Sequence, residues 1–355
     1  MYDLIIVGGG PAGATLARLL GNKYKILLLE KRDFKKSNLP VNQKCCGGLL
    51  APDAQKMLAT LGLGIPSSVL ISPQIFAVRT IDAQNKIERF YQRHYININR
   101  EKFDIWLLSL IPESVDIGTE CKYRSHRIWN GNISVKYSYH GREFEEKTKI
   151  LVGADGGSSN VRRESFNSFQ MPKKYTAIQE WFEKKDDFPF YGAIFDQQIT
   201  DFYSWTIPKE NYTIVGTALE KSKSTNGKFE LLIQKLQAYG YKSGKSVRKN
   251  SAIILRPTRI KHLYTGEGNI ALIGEAAGFI SPSSAEGISY ALKSALLLAK
   301  SLEDGLAGFN HQYRIAAKPI MKNIYMKNLK CPFMYKNFFR KQIMKSGLKS
   351  LIIYK

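Results

Sequence analysis

Cysteine is scarce in this chain. Its 355 residues contain four cysteines, at positions 45, 46, 121 and 331, and no C-x-x-C pair. Adjacent Cys45 and Cys46 cannot close a relaxed disulfide, so the expectation is a reduced, cytoplasmic setting. The histidines, five in number, show no metal-ligand spacing. No run of 18 apolar residues occurs, so no membrane-spanning helix is expected. No G-x-S-x-G elbow is present, which argues against a serine hydrolase of that type. Gly244-Lys245-Ser246 has the end of a phosphate-binding P-loop, but Tyr239 stands where the motif needs glycine. Low-complexity linkers and fixed-period repeats are also missing. Acidic residues stop early: no Asp or Glu lies between Gly305 and Lys355.

An apolar fraction of 44% and an aromatic fraction of 12% describe a globular chain, long enough for two joined domains. The net charge is +23, and it is uneven. The acid-free tail interleaves lysines with Phe333, Phe338, Phe339, Ile343 and Leu351, a composition suited to an anionic membrane surface. A solvated lysine-rich helix is the plainer reading of the same charge. No nucleic-acid-binding motif accompanies it, so nucleic acid is not expected as a partner.

The first residues carry the strongest pattern. Tyr2–Val7 is an apolar run, followed by Gly8-Gly9-Gly10-Pro11-Ala12-Gly13, a helix-like stretch, a second apolar run and then Glu30-Lys31. Gly8 permits the tight turn, Gly10 lets a pyrophosphate approach the backbone, and Gly13 lets the helix pack on the strand. The helix N-terminus offers unpaired N–H groups to phosphate, and Glu30 suits ribose hydroxyls. This fingerprint starts at the second residue, so no removable leader is expected.

Two later stretches have the same logic. Lys149–Asp155 reads as a buried strand that breaks into Gly156-Gly157, and Asn269–Ile273 is a strand that runs into Gly274-Glu275. Small residues permit close backbone approach there, and carboxylates at strand ends can hold ribityl or ribose hydroxyls. Between them, Thr176–Phe182, Tyr191–Phe195, Phe202–Ile207 and Tyr212–Leu219 alternate like antiparallel strands. Leu70–Tyr95 alternates like a small antiparallel sheet. Asn99 is placed to cap a helix beginning at Arg100, and a further helix is expected to open near Ser284.

These three stretches together resemble the FAD-dependent oxidoreductases of the para-hydroxybenzoate hydroxylase class over nearly the whole chain. That class usually has Asp where this chain has Glu275. Lys44-Cys45-Cys46-Gly47-Gly48 further resembles the K-x-C-G-G segment of the geranylgeranyl reductase branch. Tyr203-Ser204-Trp205-Thr206-Ile207-Pro208 resembles that branch's Y-x-W-x-F-P motif, with Ile207 in place of Phe.

The resemblance implies an α/β fold: a Rossmann-like FAD-binding domain (1–70, 96–168 and 250–305), an inserted antiparallel-sheet substrate domain (71–95 and 169–249) and a basic C-terminal helical tail (306–355). It implies that FAD is held by Gly8, Gly10, Pro11, Ala12, Gly13, Glu30, Lys31, Lys44, Arg100, Asp155, Gly274, Glu275, Gly287 and Ile288. Cys46 would lie beside the isoalloxazine, and Tyr203 and Trp205 would line a lipid-accepting tunnel. On the residues alone, Cys46 is equally a small buried hydrophobe, Tyr203 and Trp205 plain core, and Arg100 a surface ion pair.

One complete dinucleotide fingerprint leaves NAD(P)H, or a small electron carrier, as a transient reductant. The implied activity is reduction of carbon–carbon double bonds in an apolar, isoprenoid-like substrate. A monooxygenase or halogenase is the alternative, because Tyr203–Pro208 also approaches the halogenase W-x-W-x-I-P pattern. A non-catalytic flavoprotein docked on the inner membrane face is the third reading.

Overall fold

The computed structural model describes residues 1–34, 44–166, 170–220 and 225–354. Tyr2–Val7, a run of apolar and β-branched residues, forms the centre of an eight-stranded sheet. It pairs in parallel with Ile26–Leu29 on one side and with Arg142–Gly153 on the other. Ile270–Leu272 extends the sheet in parallel beyond Arg142–Gly153. The central strands are buried on both faces and therefore read as unbroken apolar runs, without alternation.

Strand register sets where a ligand can bind. Val7 lies opposite Leu29 and Gly153, and Gly153 lies opposite Leu272. The four strands end level, so Gly8, Glu30, Ala154 and Ile273 leave the same edge of the sheet. Ligands of open parallel sheets bind at this carboxyl edge. Helix Pro11–Leu20 packs against helix Ile288–Ser301 over that sheet, joined to it by one large apolar core.

The second sheet has nine strands. Ser243–Arg256, Lys173–Lys184, Tyr212–Leu219, Ser204–Lys209 and Tyr191–Phe195 follow one another antiparallel. Two of the strands expected from alternation, Tyr191–Phe195 and Tyr212–Leu219, have the expected ends. Ile75–Asp82 and Ile87–Asn97 pair antiparallel, as alternation suggests, and join the edge of this sheet, where Ile75–Asp82 pairs with Tyr191–Phe195 in parallel. Strands Ile87–Asn97 and Ser243–Arg256 also run straight through the borders expected at 95/96 and 249/250, because cross-strand partners continue on both sides. The border expected at 168/169 falls outside the described residues.

The C-terminal segment is built into both sheets. Helices Phe309–Ala316 and Lys318–Tyr335 bury Tyr313, Ile320 and Ile324 in the core of the first sheet. Met334 and Tyr335 pack on the second, where the Tyr335 hydroxyl donates to the Ser283 carbonyl at 2.6 Å. Arg340, in helix Asn337–Ser346, forms a buried ion pair with Asp82 at 2.8 Å. Ser350–Leu351 then adds a last short strand against Phe90 and Tyr91. Among the described residues no helix is long and apolar enough to cross a membrane.

Candidate functional site

The level strand ends open onto a cavity of about 650 Å³ between the two sheets. Every residue singled out in the sequence reaches it except Gly13, which lies behind the wall. Gly13 shows why glycine is needed: a Cβ there would lie 1.9 Å from the Gly8 carbonyl oxygen. Gly8 has a left-handed φ of +109°, and a Cβ on it would meet Ala154. At Gly10 a Cβ would meet nothing within 4 Å. That open space lies at the N-terminus of helix Pro11–Leu20, whose cap has no side-chain acceptor. Unspent N–H groups facing an open glycine suit an anion such as pyrophosphate.

Glu30 is buried and tightly held. Its Oε2 accepts from Gly9 N at 2.8 Å, and its Oε1 accepts from Arg32 N at 2.9 Å. Burial opposes its ionisation, but the Arg32 guanidinium and these N–H groups prevail and hold the carboxyl below its ordinary value. Arg32 also donates to Asp104 at 2.7 Å, and Asp104 accepts from Arg100 Nε at 2.9 Å. Arg32 and Asp104 were not foreseen. The i, i+4 spacing of Arg100 and Asp104 on one helix was the available signal. Asn99 caps this helix as expected, accepting from Glu101 N and Lys102 N.

Asp155 is half-buried. Its oxygens accept from Ser159 Oγ at 2.5 Å and from Asn160 N at 2.7 Å, so it secures the next short helix while still reaching the cavity. Burial raises its pKa. Glu275 reaches across to the second sheet, where Oε1 accepts from Leu255 N at 3.0 Å. Its carboxyl is likewise raised by burial. Lys31 stands exposed at the rim.

The helix expected near Ser284 begins at Ile288, with Gly287 as its cap residue. Its end is not bare. Glu286 Oε1 accepts from Ser289 N at 2.7 Å, and Oε2 from Ser289 Oγ at 2.6 Å. The Glu286 side chain therefore takes up part of the hydrogen-bonding capacity of this helix N-terminus.

The two branch-like motifs are interlocked. A Cβ on Gly47 would lie 2.4 Å from Ile207 Cδ1, so the Lys44–Gly48 turn rests directly on the Ser204–Lys209 strand. Lys209, 2% exposed, donates to the carbonyls of Gly48 at 3.1 Å and Ile98 at 2.9 Å, and to Asn97 Oδ1. Burial pushes its amine down to about 7.

Within that turn Cys46 Sγ accepts from Arg100 Nη1 and from Gly48 N, both at 3.4 Å. Burial disfavours the thiolate, but Arg100, the Gly48 N–H and Lys44 outweigh it, so the thiol titrates below its ordinary value. Lys44 is itself lowered, chiefly by Arg100 and then by burial. Cys45 next door is pushed up to about 12 by burial.

Tyr203 and Trp205 face the cavity with ring centroids 5.6 Å apart, while Ser204 points away to Thr217. Trp205 lies over Gly216, where any Cβ would sit 2.3 Å from the indole. The Tyr203 hydroxyl donates to the Ser284 carbonyl at 2.7 Å, and burial raises its pKa. Tyr191 and Tyr95 continue the aromatic wall, with ring centroids 5.5 Å apart. Sequence alternation had placed the Tyr191 strand but gave no sign of this role.

No protein-family model matches the chain. The chain is 42% identical over 349 residues to Protein CbrA of Escherichia coli O6:H1 (strain CFT073), covering 98% of this chain and 94% of that one. It is 41% identical to Protein CbrA of strain K12, covering 98% and 97%. Among solved structures it superposes on a geranylgeranyl bacteriochlorophyll reductase-like protein from Thermoplasma acidophilum with a TM-score of 0.80 at 19% identity, covering 96% of this chain and 90% of that one. PqsL of Pseudomonas aeruginosa, a probable FAD-dependent monooxygenase, gives 0.72 at 15% identity, covering 98% and 99%. The flavin-dependent brominase Bmp2 gives 0.68 at 18%, covering 98% and 93%. At such identities the superpositions establish the fold, which is the Rossmann-type fold shared by these flavoproteins. The full-length match at 42% goes further: this chain belongs to the CbrA family.

Proposed function

We propose that the chain is an FAD-dependent oxidoreductase that reduces carbon–carbon double bonds of an apolar, isoprenoid-like substrate. One observation carries the flavin assignment. Four strand ends in register bring Gly8, Glu30, Asp155 and Gly274–Glu275 to one cavity, and Gly10 leaves open space at an uncapped helix end. The residues fit the cofactor. Gly10 and Ala12 would take the pyrophosphate, Glu30 a ribose, Arg100 the phosphate side, and Asp155 or Glu275 the ribityl hydroxyls.

When bound, FAD would supply hydride transfer, and NAD(P)H or a small electron carrier would recharge it. The protein's part is orientation and proton supply. Cys46 is held toward its anionic form by Arg100, against the effect of burial, which makes it less suited than Tyr203 to hold a proton for the reaction. Tyr203 keeps its proton and stands on the aromatic wall, so it is the better acid. Trp205, Tyr191 and Tyr95 would present an apolar face to the substrate.

The interlock of the Lys44–Gly48 turn with the Ser204–Lys209 strand, and the TM-score of 0.80 to a reductase-like protein, support this branch. A monooxygenase or halogenase is the second reading, favoured by end-to-end superposition on PqsL and Bmp2.

The test has two stages. Purified protein should carry, or take up, a flavin with its oxidised absorbance. Colourless protein that refuses FAD ends the proposal. Anaerobically reduced protein mixed with a prenyl lipid should then reoxidise faster than in buffer. Oxygen consumption tied to an oxygenated or halogenated product would select the second reading.

A further inference from the structure

Outside the cavity, the surface is most unusual at the C-terminus. Of the 24 exposed large apolar side chains among the described residues, 13 lie between Ile315 and Tyr354. Single exposed apolar residues are ordinary, but a contiguous patch marks an interaction site. Helix Lys318–Tyr335 buries Ile320, Ile324 and Cys331 on one side. Its outward face carries Tyr325, Leu329 and Phe333 at i, i+4 spacing. Lys318, Lys322 and Lys330 are exposed among them.

The patch continues onto the next helix. Phe333 meets Phe339 with ring centroids 5.3 Å apart, and Phe339 meets Phe338 at 5.6 Å. Phe338 is 68% exposed and Leu348 is 70% exposed. Three aromatic rings packed on one another in solvent are a surface arranged for an apolar medium.

Charge identifies that medium. No carboxylate side chain lies between Gly305 and Lys355. Lys330, Lys336, Lys345 and Lys349 are exposed and make no ion pair among the described residues. A solvated helix needs no exposed phenylalanines, and a nucleic-acid groove would not need Leu348 and the apolar run Leu351–Ile353. Interleaved lysines and bulky apolar groups match the boundary where anionic headgroups meet acyl chains. The mount is firm as well. Arg340–Asp82 and Tyr335–Ser283 fix both helices to the body, so the patch is presented ready-formed.

We propose that helices Lys318–Tyr335 and Asn337–Ser346, with the segment through Tyr354, dock the protein on an anionic lipid bilayer. Phe333, Phe338 and Leu348 enter the headgroup boundary, and the surrounding lysines meet the lipid phosphates. This surface is independent of the cofactor assignment.

Co-sedimentation of the full chain with vesicles tests it. Phosphatidylcholine vesicles containing phosphatidylglycerol should retain the protein at low salt, and vesicles of phosphatidylcholine alone should not. The triple variant Lys330→Glu, Lys336→Glu, Lys345→Glu should lower partitioning by at least about a hundredfold, from roughly fivefold per lysine removed. The triple variant Phe333→Ser, Phe338→Ser, Leu348→Ser should abolish whatever binding survives in physiological salt, where exposed charges are screened. All of these residues are exposed, and matching circular-dichroism melts should show that both variants fold. Wild-type protein left in the supernatant with phosphatidylglycerol vesicles overturns the proposal. So does vesicle binding that the Phe and Leu changes leave intact, or tighter retention on duplex DNA that those changes do not weaken.

Discussion

Arg100 Nη1 stands 3.4 Å from Cys46 Sγ, joining residues 54 positions apart at the wall of the cavity. The same guanidinium is anchored by Asp104, so it cannot swing away to solvent. The contact favours the Cys46 thiolate, while burial raises Cys45 to about 12. Alkylation by iodoacetamide near neutral pH should therefore modify Cys46 and spare Cys45, as mass spectrometry would show. Arg100→Leu should slow that reaction about tenfold for each unit by which the thiol rises. The linkage has a definite sign. A thiol lowered on folding adds stability above its unfolded value, and that stability fades as pH falls through the folded value. Equal alkylation rates in wild type and Arg100→Leu would refute the contact's role.

Gly10 and Gly13 lie three residues apart and should behave oppositely when given a methyl group. Gly10 has extended backbone angles (φ −76°, ψ −173°) and free space around it. Gly10→Ala should fold with unchanged or slightly raised stability, yet weaken FAD retention by at least about tenfold, or ~1.4 kcal/mol. Gly13→Ala would press its Cβ onto the Gly8 carbonyl, which should cost about 1–3 kcal/mol of stability. Thermal melts paired with flavin titration separate the two effects.

Lys209 holds the Lys44–Gly48 turn from behind through three acceptors. Lys209→Met keeps the aliphatic stem and deletes every donor, taking the Lys209 hydrogen bond from Asn97 Oδ1 and the Ile98 carbonyl and leaving the Gly48 carbonyl with only the Ile98 N–H. A loss of at least about 2 kcal/mol in urea unfolding is expected. Cys46 should lose its rate advantage in alkylation as the turn loosens. A variant that unfolds earlier but keeps that rate would show that Lys209 stabilises without positioning.

The Arg340–Asp82 pair is buried at both ends, with 4% and 0% exposure. Arg340→Met leaves the Asp82 carboxyl with only its Asn85 hydrogen bonds and no cationic partner, at an expected cost of about 3–5 kcal/mol. Truncation near Gly308 should be worse still, because it also strips Tyr313, Ile320 and Ile324 from the core. Denaturant melts of the two chains would check the ranking.

The sequence disclosed what depends on short stretches. Strand-turn-helix order and glycine spacing located the Gly8–Gly13 turn, and alternation located Tyr191–Phe195 and Tyr212–Leu219. The side chain of Asn99 announced a helix start that needs only local hydrogen bonds. What stayed hidden depends on distant partners. The parallel pairing of Ile75–Asp82 with Tyr191–Phe195 leaves no periodic trace. Arg32, bridging Glu30 and Asp104, looks like any surface arginine until the helix carrying Asp104 approaches it. The C-terminal segment was misread as an appendage because its lysines dominate composition, whereas Tyr313, Tyr335 and Arg340 decide its attachment. Glu286 escaped notice for a similar reason. A carboxylate at a helix start is commonplace, and here it changes what the helix can offer a ligand.

The level ends of the parallel strands also govern how the molecule comes into being. Tyr2–Val7 is flanked by Arg142–Gly153, which in turn is flanked by Ile270–Leu272. A nascent chain emerging from the ribosome thus presents its glycine turn first but lacks the opposite wall until Gly274 and Glu275 appear. Helix Ile288–Ser301 closes the arrangement later again. Under the proposed flavin assignment, capture of the cofactor would wait for most of the polypeptide, so neither half expressed alone should retain it, whereas the two halves produced together should rebuild the crevice.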